Sequence, residues 1–168
     1  MLFRSVYTAS LLSSTSTPLW AAAPTPLAAQ FGTASMAGAA SALALLQRRA
    51  GENASARRLE TLAMLAGSAE LLASRTTEAQ WRRAGVDKAA RQGRPGALLH
   101  GGGTLLGLVL PMAAQALGRS LGGRPGAVLP EAASIAMILG GAAMRHGVLL
   151  AGNASARRPE DVFRVTQG

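Results

Sequence analysis

The sequence predicts an all-α fold, a polytopic transmembrane helix bundle of about five membrane helices forming one domain over residues 1–168. Three observations carry that prediction. The chain is 49% hydrophobic and only 15% charged, where soluble domains carry about 25% charged residues. Its apolar blocks approach the roughly 20 residues that cross a bilayer, and they are separated by proline or charge; Ser5 to Gln47 holds no charge of either sign. It has 20 Gly and only 4% aromatic residues, a poor supply for a core assembled in water but a good one for close-packed helices in lipid.

Taken in order, helix I is expected over 6–22 and helix II over 27–46, because Pro18, Pro24 and Pro26 punctuate one uncharged run where a turn would fall. The short connection makes them an antiparallel hairpin. Helix III, 59–74, is short for a span and contains Glu60 and Glu70, so a tilted span or a re-entrant segment is open. The basic loop 75–95 follows, either solvated or forming an interfacial amphipathic helix from Thr77. Helix IV, 97–117, follows Arg94-Pro95-Gly96 and carries Pro111 as a kink candidate. Helix V, 132–151, starts after Pro130-Glu131, which suits a helix N-terminus. Residues 152–168 form a tail. A competing reading takes the basic start, the apolar stretch and Ala21-Ala22-Ala23 as a cleavable targeting peptide, although Ser13 to Thr17 spoils its apolar region.

The net charge of +9 and pI of about 11.8 point to an anionic partner. The uncharged amino-terminal run argues against nucleic acid, and the basic residues sit between apolar blocks instead. Zero Cys excludes disulfides, thiolate zinc sites and cysteine-ligated iron–sulfur clusters. No nucleophilic triad or pair of catalytic carboxylates emerges. Lys and Arg counted by alternate loops lean toward a cytoplasmic carboxyl terminus.

Two repeats stand out. Asn53-Ala54-Ser55-Ala56-Arg57-Arg58 recurs as Asn153-Ala154-Ser155-Ala156-Arg157-Arg158, and Gly93-Arg94-Pro95-Gly96-Ala97 recurs as Gly123-Arg124-Pro125-Gly126-Ala127. Duplication of a helix pair or chance in an Ala/Arg/Gly-rich chain would each produce them. Small residues expected at helix contacts are Ala34, Gly38 and Ala42 on helix II, Gly103 and Gly107 on helix IV, and Ala136 and Gly140 on helix V. Tyr7, Trp20 and Trp81 are candidates for interface anchors or for ordinary packing.

The run Tyr7-Thr8-Ala9-Ser10-Leu11-Leu12-Ser13-Ser14-Thr15-Ser16-Thr17-Pro18-Leu19-Trp20 resembles the NrfD family, the integral-membrane subunit of polysulfide-reductase-type complexes. The likeness continues through Ala37-Gly38-Ala39-Ala40, Gly67-Ser68-Ala69-Glu70, Arg145, Ala151-Gly152-Asn153-Ala154-Ser155 and Pro159. It covers nearly the whole chain, which looks like the carboxyl-terminal portion of a family architecture of about eight helices or more. The resemblance implies a bacterial cytoplasmic-membrane subunit that binds no cofactor of its own. Such a subunit passes electrons between quinone or quinol and an iron–sulfur subunit, alongside a catalytic subunit of the molybdenum type. No quinone-binding residue carries over. A small multi-pass scaffold or transporter-like protein is the alternative.

Ionisable groups inside lipid are costly unless paired or hydrated, which makes them site candidates. Helices III and V are expected to run the same way, placing Glu70 and Arg145 at one depth, roughly 8–9 Å from the same face. His100, near the start of helix IV, and His146 join them. Three readings apply: a structural ion pair, a proton relay of Glu70 and His100 with Arg145 holding the carboxylate charged, or side chains that snorkel to the interface.

Overall fold

A computed structural model describes residues 17–121 and 123–160, and every regular element among them is helical. One turn, α1 (Pro18–Ala21), leads into α2 (Pro24–Arg49) and α3 (Asn53–Arg83). A second single turn, α4 (Lys88–Arg91), precedes α5 (Gly93–Ser120) and α6 (Gly123–Ala156). The all-α class is as expected. Among the described residues α2, α5 and most of α6 (Gly126–Ala156) are long and apolar enough to cross a bilayer, against the five spans expected. Most of the span expected at 6–22 lies outside the described residues.

The long helices alternate in direction. Leu19 N–H donates to Ser155 Oγ at 3.3 Å, Trp20 Nε1 to the Val148 carbonyl at 3.2 Å, and Trp81 Nε1 to the Leu19 carbonyl at 2.8 Å. These bonds gather the carboxyl ends of α3 and α6 around α1, so those two helices run the same way. Both tryptophans are thereby core residues, not interface anchors: their indole N–H groups find backbone carbonyls inside the bundle, as buried indoles must. Tyr7 lies outside the described residues.

Element boundaries differ from those the sequence predicts for identifiable reasons. α2 starts earlier than expected because Pro24 and Pro26 sit in its first turn, where a missing N–H costs nothing. It ends on Arg48 and Arg49, cations placed at the negative end of the helix dipole, and Gly51, at φ +82, turns the chain. α3 absorbs the first part of the basic loop through Arg83, so no separate amphipathic helix starts at Thr77. Its buried positions, among them Ala56, Glu60, Ala63, Gly67, Glu70, Ala73, Thr77 and Trp81, follow steps of three and four that keep one seam facing its neighbours. Packing along that seam extends the helix past its polar sequence.

In α5 the stretch Ala97–Val109 is π-helical, and Leu110 N–H bonds back to the Leu105 carbonyl. Long π segments are rare. Here the widened turn precedes Pro111, whose ring would otherwise strike the carbonyl one turn back, and the helix continues through it. α6 likewise contains Pro130 in its interior, where a helix start was expected. Pro130 packs on Gly118 of α5, at which a Cβ would come within 2.8 Å of the proline Cδ.

The two repeats have different origins in the fold. Gly93-Arg94-Pro95-Gly96 and Gly123-Arg124-Pro125-Gly126 both open a long helix. In each, a Cβ on the fourth residue would strike the carbonyl five residues earlier, Arg91 or Leu121. This repeat is a helix-start device that needs glycine. The hexapeptide repeat, in contrast, opens α3 in one copy and closes α6 in the other, so its copies occupy no equivalent positions.

Side-chain size is distributed against the pattern of a soluble core. Ala34, Ala37, Ala40, Ala44, Ala63 and Ala66 are buried, whereas Leu43, Leu46, Leu65, Leu72, Leu106 and Leu139 are exposed. Outward leucines and inward alanines suit helices solvated by lipid. The helix II stripe predicted at Ala34, Gly38 and Ala42 is rotated: the buried row is Ala34, Ala37, Ser41 and Ala44, and a Cβ on Gly38 would meet nothing. Gly103, Gly107 and Gly140 lie at the helix contact as predicted. Gly103 faces Met144, and Gly107 meets Gly140 backbone to backbone.

Candidate functional site

The site grows from α3, whose seam turns two carboxylates into the bundle. Glu60 is met by Arg48 across the α2–α3 hairpin in an ion pair. Glu70 lies almost three turns further on and is 7% exposed. The Arg145 guanidinium on α6 is within electrostatic reach of Glu70, and its Nη2 donates to Ser35 Oγ on α2 at 2.8 Å. Ser35 Oγ in turn donates to the Phe31 carbonyl at 2.8 Å. Three helices thus converge on Glu70, Arg145 and Ser35 at one level, the depth match that parallel α3 and α6 imply.

The other two predicted residues are placed differently. His100 does not reach Glu70; its Nε2 lies 3.4 Å from Glu78 Oε1 and its Nδ1 3.1 Å from the Gly96 carbonyl. His146 is exposed on the outer side of α6. The reason is the longer α3, which carries Glu78 up to the level of the α5 start, where the sequence predicts a solvated loop or a separate interfacial helix.

Sequence reasoning missed Glu78, Ser74, Ser35 and Gln30. One signal could have found part of the set: Glu70, Ser74 and Glu78 recur every four residues, which stacks them on one helix face about 6 Å apart. Beside Ser74 and Glu78 lies a void of about 10 Å³, also lined by Gln30, Trp81, Leu99, His100 and Thr104. The Gln30 side chain is 4% exposed and its Oε1 has no hydrogen-bond partner. A space of 10–15 Å³ with polar walls is about what one water needs. Polar groups thus follow one face of α3 as a track, from the partly exposed His100–Glu78 pair through Ser74, with Gln30 across the void, to buried Glu70, which faces part-buried Arg145.

A second polar place lies at the opposite end of the bundle. A cleft of about 330 Å³ is lined by Arg48, Arg57, Glu60, Arg119 and Leu121 among others. No group of His, Cys, Asp and Glu able to hold a metal ion occurs among the described residues. Compared with family models, curated proteins and solved structures, the chain matches none.

Proposed function

We propose that the chain is a membrane-anchor subunit, or a portion of one, of a quinone-linked respiratory oxidoreductase of the polysulfide-reductase type, seated in a bacterial cytoplasmic membrane with its carboxyl terminus inside. In this reading it binds no redox cofactor and serves an iron–sulfur partner, a catalytic subunit of the molybdenum type and the quinone pool. One observation carries the reading: the segments that resemble the NrfD family meet each other in the fold. Pro18-Leu19-Trp20 packs on Gly152 and Ser155, with the Trp20 ring so close to Gly152 that a Cβ there would overlap it. Gly67-Ser68-Ala69-Glu70 stands opposite Arg145.

Purifying the chain from its native membrane in a mild detergent tests the proposal. An iron–sulfur protein and a quinol-dependent reductase activity are expected in the same particle; a stable lone oligomer would instead favour a scaffold.

Within such a complex the polar track serves proton transfer, with His100 and Glu78 at its mouth and Glu70 at its inner end. Glu70→Gln keeps shape and hydrogen bonding, so assembly is expected to survive while proton coupling, read as acidification by reconstituted vesicles, is lost. Arg145→Ala is expected to lower the yield of assembled complex, because it strips Ser35 and Glu70 of their common partner. A Glu70→Gln complex that couples normally would reduce the track to structural packing.

A further inference from the structure

The cleft at the α2–α3 and α5–α6 turns has a charge pattern that the polar track does not explain. Of its ionised side chains, Arg48 is already matched by Glu60, which is 1% exposed. Among the described residues no carboxylate is paired with Arg57 or Arg119, which face the open space, and Arg119 donates to the Thr61 hydroxyl at 2.9 Å. Asn53, in the first turn of α3, adds a helix N-terminus whose backbone N–H groups receive no side-chain cap. The cleft therefore carries an uncompensated positive charge of two guanidinium groups.

Its walls continue into an apolar track. Leu121 lines the cleft, and Leu117 and Leu110 follow it along one side of α5, all about half exposed. From Leu121 back to Leu110 the helix rises about 16 Å, close to the 15 Å depth of one leaflet's hydrocarbon. Cationic cleft and leucine row together have the two halves of an acidic phospholipid.

We propose that this cleft binds the phosphate of an anionic membrane phospholipid, Arg57 and Arg119 gripping the headgroup and one acyl chain lying along Leu121, Leu117 and Leu110. The proposal requires a bilayer around the helices but no redox partner, so it can fail while the respiratory reading stands. If the chain stays monodisperse in buffer without amphiphile, the membrane reading itself fails.

Native mass spectrometry of the purified full chain in a neutral detergent tests it, with phosphatidylglycerol and phosphatidylcholine as probes. Phosphatidylglycerol is expected to bind about tenfold more tightly than the zwitterionic lipid. Arg57→Gln with Arg119→Gln should erase that preference, since each cation near a lipid surface contributes on this scale. Asn53→Glu guards against a folding artefact: a carboxylate in a first helical turn favours the helix, yet here it should repel the headgroup and lower binding likewise. Arg91→Gln, at the other end of the bundle beside Asp87, should leave binding unchanged. Undiminished phosphatidylglycerol binding in both cleft variants overturns the proposal. So does full displacement of the lipid by millimolar inorganic phosphate, which would assign the cleft to a soluble phosphate compound.

Discussion

Gly140→Val is expected to destroy the folded bundle, and Gly141→Ala, one residue away, to leave it intact or slightly more stable. A Cβ at Gly140 would overlap the Gly107 backbone. Backbone atoms, unlike the end of a flexible side chain, cannot rotate aside, so α5 and α6 would have to part. That movement would also loosen the contacts of Gly103 with Met144 and of Gly147 with Leu99, which continue from the crossing toward the start of α5. Overpacking of ordinary cores costs about 1–3 kcal/mol, and a clash between two backbones belongs at or beyond the top of that range. Gly141 faces open space, with nothing within 4 Å of its Cβ position, and alanine gains up to about 1 kcal/mol over glycine in helix propensity. Thermal unfolding in detergent, followed by helical circular dichroism, distinguishes the pair. Equal midpoints for wild type and Gly140→Val would mean that the two helices do not cross there.

That crossing was legible in the sequence because Gly103, Gly107 and Gly140 combine small size with helical spacing in apolar blocks. The helical class and the common direction of α3 and α6 were legible for a similar reason: each follows from block length and block order. Other features depended on tertiary packing, which local sequence does not encode. Polar Thr77 to Arg83 reads as a solvated loop or a separate interfacial helix, yet Trp81 reaching the Leu19 carbonyl holds it as the last turns of α3. The same extension explains the error at the site. With α3 ending at 74, as the sequence predicts, His100 has no acid at its own level and Glu70 is the partner it is expected to meet; with α3 continuing, Glu78 is the nearer partner. The rotated stripe on α2 has another cause. Ala, Gly and Ser are so frequent there that several faces look equally small, and only the position of α3 and α6 selects Ala34, Ala37, Ser41 and Ala44.

Arg48→Ala should be the most damaging removal of a single charge. Glu60 is 1% exposed and has the Arg48 guanidinium against it; alanine would leave that carboxylate enclosed between helices without its cation. Breaking one side of a buried pair costs about 3–5 kcal/mol, whereas exposed pairs are worth about 1 kcal/mol or less. The size of the loss therefore reports the surroundings of the pair. Arg48→Met combined with Glu60→Leu supplies the complementary measurement, since replacing both charges by apolar groups of similar volume is often neutral or stabilising. The single variant is expected to lower the unfolding midpoint in detergent sharply and the double variant to restore most of it. Should both behave like wild type, water reaches the pair freely and the α2–α3 hairpin is held by its alanine seam alone. Should the single variant fall and the double recover, the loss comes from leaving the Glu60 carboxylate enclosed without a cation, and the small-residue seam alone suffices to align the hairpin.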